Sequence, residues 1–185
     1  MIANYPEVQM KLRNEISFQI GDRIPIQDDR RNCHYVNPFI NEALRFANAI
    51  PLGVFHRTVA SSQIDGHQIA KDCIVFVHQH AILNDPKHWS DPEVFKPERF
   101  LDSNEKFSVN KNAAFIPFGI GRRSCPGEKL ALADLFLILV RMIQQTDGYL
   151  FVLPNGERSA DLSPDPNALP LIFAPNDYKI ILKKQ

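Results

Sequence analysis

Cys125 lies in the run Phe118-Gly119-Ile120-Gly121-Arg122-Arg123-Ser124-Cys125-Pro126-Gly127, immediately ahead of a long apolar segment. If that segment is a helix, its free N–H groups and positive dipole end stand beside the sulfur, and Arg122 and Arg123 add positive charge. Such a setting favours an anionic sulfur, which can act as a metal ligand or as a nucleophile. The glycines permit positive φ or a close approach of backbone to a flat ligand. Phe118, seven residues before the thiol, is placed to cover it from water. A buried structural cysteine is the plainer role for a lone Cys, but that role does not call for Phe, two glycines, a basic residue and a final Gly in register. A nucleophilic cysteine needs a general base. The six histidines at 34, 56, 67, 78, 80 and 88 form no helper motif beside Cys125, so only the fold could bring one to it.

A second constellation is Glu42-Ala43-Leu44-Arg45, with acid and base three residues apart and therefore on one helix face. At a surface such a pair is worth about 0–1 kcal/mol. Here Phe39, Glu42, Phe46 and Ala49 follow a 3-4-3 spacing that sets Glu42 within an apolar face. A buried carboxylate needs partners, and Arg45 alone, at the edge of that face, is too few. Pro97-Glu98-Arg99-Phe100 supplies a further arginine, Arg99.

These groups must be positioned by the elements around them. Residues 6–19 read as an amphipathic helix: Pro6 suits the first position, Val8, Leu12 and Ile16 repeat every four residues, and Gly21 stops it. Glu7 with Lys11, and Lys11 with Glu15, are i,i+4 pairs expected on its wet side. A second helix is expected to start with Asn37 as cap and Pro38 at its first position, and to end before Pro51. Strands follow over 58–64, 68–69 and 73–78, with Asp65-Gly66 as a hairpin turn. Residues 84–100 form a proline-punctuated loop with one helical turn near Pro92, and 102–112 a polar, mobile surface segment. A helix over 127–145 is apolar nearly all round from 130 to 140, which predicts burial. Strands are expected over 149–153, 169–174 and 178–182, the last two joined by Pro175-Asn176-Asp177. With no repeat and no linker, 1–185 reads as one unit, mainly α with small β-sheets (α+β).

Composition excludes several classes. Lys plus Arg and Asp plus Glu are 21 each, so charge gives no reason to expect nucleic acid. Three cysteines at 33, 73 and 125, with no CxxC pair, argue against a disulfide framework or a four-thiolate zinc site and for a reducing, cytosol-facing environment. The N-terminus lacks the apolar run of a signal peptide, and the longest apolar stretch is too short to cross a bilayer.

The residues 118–127 resemble the cysteine signature of the cytochrome P-450 superfamily at every defining position. The order ExxR (42–45), PERF (97–100), cysteine loop extends that resemblance over essentially all 185 residues, in the tone of the animal microsomal branch. It implies the C-terminal heme-binding part of the cytochrome P-450 fold, with heme b (iron protoporphyrin IX) as cofactor and Cys125 as its axial iron ligand. A thiolate in that place pushes electron density to the iron and favours O–O cleavage. By position, Arg123 matches the residue that binds one propionate, His56 or Arg57 the residue that meets the other, and Phe118 the ring beside the thiolate. Glu42, Arg45 and Arg99 match a structural Glu-Arg-Arg network holding the cysteine loop. Ile50, Leu52, Gly53 and Val54, together with Ala168, Leu169, Pro170 and Leu171, fall where family members line the substrate pocket. The family's oxygen-activating helix and N-terminal anchor find no counterpart in this chain, which reads as about the last third of such an enzyme.

The implied function is monooxygenation: one oxygen atom of O2 enters a lipophilic organic substrate, with electrons from a flavoprotein reductase. Lys129 and Arg122 are expected on the surface that docks the reductase. For the full-length parent the resemblance implies the cytosolic face of the endoplasmic reticulum membrane, attached only through the absent anchor. Two other readings stand beside it, a non-catalytic heme-binding remnant and a cysteine-nucleophile hydrolase. The isolated chain is expected to be inactive.

Overall fold

Pro6 has no N–H to leave unpaired, and it opens the first helix, α1 (Pro6–Gln19), in the computed structural model, which describes residues 1–108, 112–154 and 172–185. Val8, Leu12 and Ile16 are buried along one stripe. Gly21, at φ +66, donates its N–H to the Ile16 carbonyl and ends the helix. There follow α2 (Val36–Phe46), β1 (His56–Arg57), β2 (Ser62–Ile64), β3 (His67–Ile69), β4 (Ile74–Val75) and α3 (Gln79–Leu83). The described chain closes with α4 (Glu128–Gln145), β5 (Tyr149–Val152) and β6 (Ile181–Lys184). The architecture is helical with small two-stranded antiparallel sheets: β1 with β4, β2 with β3, β5 with β6.

The core forms where α1, α2 and α4 meet. Leu12, Val36, Phe136 and Val140 are fully buried there, and Phe95 joins them with its ring against those of Tyr5, Phe39 and Phe46. Gln9, buried in the same core, acts as a side-chain strand. Its Nε2 donates to the Phe151 carbonyl at 3.1 Å, and its Oε1 accepts the Phe151 N–H at 2.9 Å, so β5 is fixed to α1 without a third strand. Arg13 satisfies the far end of α4, donating to the Ile143 carbonyl at 3.2 Å and the Tyr149 carbonyl at 2.6 Å.

Several local expectations give way to tertiary partners. The i,i+4 pairs expected on α1 do not form among the described residues. Lys11 reaches Glu98 at 2.6 Å instead, and Glu15 turns inward. Glu15 accepts the N–H groups of Tyr35 and Val36 at 2.8 Å, so the start of α2 is capped by a carboxylate from α1. Asn37 is not the cap: it lies inside the first turn, and its Nδ2 donates back to the carbonyls of Arg30 and Cys33. The helical turn expected near Pro92 falls at Pro97–Phe100, a 3-10 turn, and α3 lies between the expected strand 73–78 and loop 84–100, where no element is expected.

At the hairpin, Asp65 and Gly66 take φ of +46 and +82, the paired positive values of a type I′ turn, and β2 and β3 close around them. The tail pairs differently from the expectation. β6 runs antiparallel to β5, with Tyr149 opposite Lys184, and makes no hairpin over Pro175-Asn176-Asp177; part of the strand expected at 169–174 lies outside the described residues. For 102–108, the Asp102 carboxylate accepts the N–H groups of Asn104 and Lys106, and Leu101 bridges Phe107, so a closed turn stands at the start of the expected surface segment.

The main departure is α4. Its apolar circumference predicts full burial, yet only the stripe of Ala133, Phe136, Leu139, Val140 and Ile143 is buried. Leu130 and Ile138 are 67% and 66% exposed, and Leu135 and Met142 also face outward. Packing from α1 and α2 covers one side of the helix and leaves the other uncovered.

Candidate functional site

The cysteine loop is built from short backbone closures. The Gly119 N–H meets the Ile116 carbonyl at 3.0 Å, Gly121–Arg123 makes a 3-10 turn, and the Ser124 N–H meets the Gly121 carbonyl at 3.2 Å. Gly119 and Gly121 stand at φ +72 and +74, values that bring other residues' Cβ into conflict with their own backbone. The Cys125 N–H donates to the Phe118 carbonyl at 2.8 Å, closing the loop on itself. Cys125 then precedes the first residue of α4 by three positions, with its side chain exposed. Phe118 is half-buried in the same loop, while Arg122 and Arg123 are exposed and make no ion pair among the described residues.

The loop is suited to a flat group on the sulfur. A Cβ built at Gly127 would meet one neighbour only, the Cys125 Sγ at 3.8 Å, and one at Gly121 would meet nothing within 4 Å. Residue 127 thus sits at ordinary contact distance from the sulfur and leaves it exposed. A single exposed soft donor is the kind of group that could hold one axial place on an iron porphyrin. It does not match a protein-only metal site, for no group of three or more His, Cys, Asp or Glu gathers among the described residues. Cys125 also has no hydrogen bond to a histidine among them, which is the contact an activated nucleophile requires.

A buried charge cluster joins α2 to the Pro97–Phe100 turn. Glu42 and Arg45 are 0% exposed and Arg99 is 7% exposed. The Glu42 carboxylate collects four N–H donors. Arg45 Nε and Nη2 donate at 2.8 and 2.9 Å, the Lys96 backbone N–H at 2.9 Å and Arg99 Nε at 3.2 Å. Arg45 continues to the carbonyls of Leu83 at 3.0 Å and Pro92 at 2.8 Å, and its guanidinium stands 5.5 Å over the Trp89 ring. Arg99 donates to the carbonyls of Ser90, Asp91 and Val94. Each charge of the cluster is thus answered, and the cluster staples α2 to the loop between α3 and the Pro97–Phe100 turn.

An aromatic triad carries that order toward the cysteine. Trp89, Phe100 and Phe115 pack with ring centroids 5.0 to 6.3 Å apart, so the loop held by Arg99 also grips the segment that runs into Phe118. Sequence reading missed Trp89, the Lys96 N–H and the Glu15 cap. Only Trp89 had a signal, as the single tryptophan in a chain with thirteen phenylalanines.

The remaining candidate residues are dispersed. His56 and Arg57 lie on β1, exposed, and Arg57 is 3.5 Å from Asp72; successive strand side chains point to opposite faces, so the two cannot serve one group equally. Ile50 and Val54 are exposed, Leu52 is half-buried and Gly53 is buried at φ +60. Ala168, Leu169, Pro170 and Leu171 lie outside the described residues.

Comparison with known proteins agrees with this geometry. The family described as cytochrome P450 matches residues 1–157. The chain belongs to the cytochrome P450 family. It is 37% identical to cytochrome P450 2K6 of Danio rerio over 166 residues, covering 90% of this chain and 32% of that protein. It is 37% identical to trans-cinnamate 4-monooxygenase of Ruta graveolens over 184 residues, 98% of this chain and 36% of the relative. Cytochrome P450 1B1 of Homo sapiens matches at 36% over 148 residues, 80% and 27%. This P450 chain spans about a third of the length of the curated relatives it matches. No helix among its described residues is long and apolar enough to cross a membrane.

Proposed function

We propose that this chain is the thiolate-bearing part of a heme monooxygenase, a C-terminal portion of a single cytochrome P450 domain, with Cys125 as the axial ligand of heme b. The observation that carries this reading is an exposed Cys125 just before α4, on a loop closed by its own N–H to the Phe118 carbonyl. When bound there, heme would supply the redox chemistry: with two electrons and two protons, one oxygen atom of dioxygen enters a substrate C–H bond and the other leaves as water.

The chain's own residues hold and surround that group. The 118–125 closure fixes the sulfur beside the dipole end of α4. Arg123, with His56 or Arg57, holds propionates. Ile50, Leu52, Gly53 and Val54, joined by Ala168, Leu169, Pro170 and Leu171, present an apolar wall to a lipophilic substrate. Exposed Arg122 and Lys129 offer positive charge to a flavoprotein reductase. In this proposal the parent works at the cytosolic face of the endoplasmic reticulum, anchored by residues outside this chain.

The test is the carbon monoxide spectrum of the ferrous protein in a full-length domain carrying this chain. Thiolate ligation red-shifts the band; Cys125→Ser should lose that shift, and Cys33→Ser and Cys73→Ser should keep it. Retention of the shifted band in Cys125→Ser would falsify the assignment.

A further inference from the structure

Gln79 opens α3 and is 9% exposed, an amide enclosed between two loops far apart in sequence. A Cβ built at Gly53 would stand 3.2 Å from its Nε2 and 3.4 Å from its Cδ. A Cβ at Gly119 would stand 3.6 Å from the same Nε2. Both glycines have positive φ, +60 and +72, so each loop bends its backbone toward this one side chain. Gly53 belongs to the apolar wall and Gly119 to the cysteine loop. The end of the Gln79 side chain is the spacer between them.

The wall loop has little freedom to settle elsewhere. The His80 N–H, next to Gln79, holds the Pro51 carbonyl at 2.9 Å, and the Gly53 N–H holds the Ile50 carbonyl at 3.0 Å. On its other side the buried Asn48 accepts the Ile50 N–H at 3.3 Å, and Phe173 donates to the Ala49 carbonyl at 2.8 Å. With both flanks tied, the 50–54 loop keeps its place, and the length of the residue at 79 decides how much of the space between it and the cysteine loop is filled.

We propose that Gln79 is a positioning residue for substrate selectivity, setting the gap between the 50–54 wall and the group held on Cys125. This rests on the assignment of those two loops under the proposed function. A shorter side chain leaves a void between the two tied loops, which enlarges the space before the wall; a side chain of equal length does not, whether or not it carries an amide.

The experiment uses the full-length domain with heme and two probes. Imidazole reports the iron alone, and 4-phenylimidazole carries an aryl ring that shares the space before the wall. Gln79→Ala and Gln79→Asn should keep the thiolate-type carbon monoxide band and the imidazole affinity. They should change the phenylimidazole-to-imidazole affinity ratio about tenfold, the scale of a methylene-sized misfit in an apolar pocket. Gln79→Met, of equal length, should restore the ratio to within about twofold of the parent, well inside that misfit. If Gln79→Ala does not take up heme, Gln79→Asn, a single methylene shorter, carries the same prediction. An unchanged ratio in the shortened variants with the band intact overturns the spacer role and leaves the thiolate assignment standing. Equal shifts for both probes overturn it too, since they place the disturbance at the iron. Absence of the band in the unsubstituted protein removes the assignment itself, and this inference with it.

Discussion

Glu42 shows how much one residue can hold. Its carboxylate is fully buried, and its four N–H donors come from α2, from the Lys96 backbone and from Arg99. Removing one member of such a cluster strands charge in a low-dielectric interior, at a cost of about 3–5 kcal/mol. Glu42→Ala and Arg45→Ala should each lower the denaturant midpoint of the full-length domain by that order and abolish heme uptake. The double variant should cost far less than the sum. Normal uptake in both single variants would mean that the cluster does not govern the loop. The cysteines separate equally sharply. Cys33 is wholly buried, and desolvation, aided by the negative charges of Glu15 and Asp29, pushes its thiol up to about 12. Cys125 is exposed. Iodoacetamide on the heme-free native protein should therefore modify Cys125 first and leave Cys33 untouched until unfolding, with peptide mass mapping as the check. Bound heme should protect Cys125.

At the scale of elements, α1 is fastened to the Pro97–Phe100 turn by Glu98, which accepts from Lys11 at 2.6 Å and from the Tyr35 hydroxyl at 3.0 Å. Burial raises the Glu98 carboxyl, but the hydrogen bonds from Lys11, its own backbone and Tyr35 outweigh that and leave it below its ordinary 4.5. A depressed carboxyl binds its proton less readily folded than unfolded, so its contribution to stability is present above the unfolded value. That contribution fades as pH falls from about 4.5 through the lower folded value. Thermal melts of the parent and Glu98→Gln should differ at pH 7 and converge in acid below that window. A gap that persists at low pH would assign the difference to packing rather than to charge. The aromatic triad works between elements in the same way, and Phe100→Ala, at a site 1% exposed, should cost about 3–5 kcal/mol.

For the whole molecule the uncovered side of α4 decides behaviour. Leu130, Leu135, Ile138 and Met142 place an apolar face in water along a helix whose other side is core. Contiguous exposure of that kind drives association or marks a surface meant for a partner. The isolated chain should self-associate and bind hydrophobic dyes in the native state, and it should not turn over substrate. Leu130→Lys with Ile138→Lys should make the isolated chain more soluble while destabilising the full-length domain. A monomeric isolated chain without dye binding, or a full-length domain indifferent to the two lysines, would show that nothing packs on this face.

What the amino-acid sequence determined by itself was whatever local geometry enforces. Pro6 and Gly21 bound α1, Asp65-Gly66 turns the hairpin, Gly119 and Gly121 bend the cysteine loop, and the three-residue spacing of Glu42 and Arg45 puts both on one face of α2. Each follows from dihedral limits or helical periodicity within a few residues. Tertiary structure decided the choices among partners of similar strength. Lys11 could pair along its own helix or with Glu98, and Glu15 could stay in water or cap α2; packing of α1 against its neighbours settled both. The exposed half of α4 was equally out of reach, because an apolar face states that it needs cover but not which element supplies it. Gln79 carries no local pattern at all. Its place between Gly53 and Gly119 exists only because two loops far apart in sequence fold back to the same end of α3, where backbone closures bring their glycines within contact of one amide.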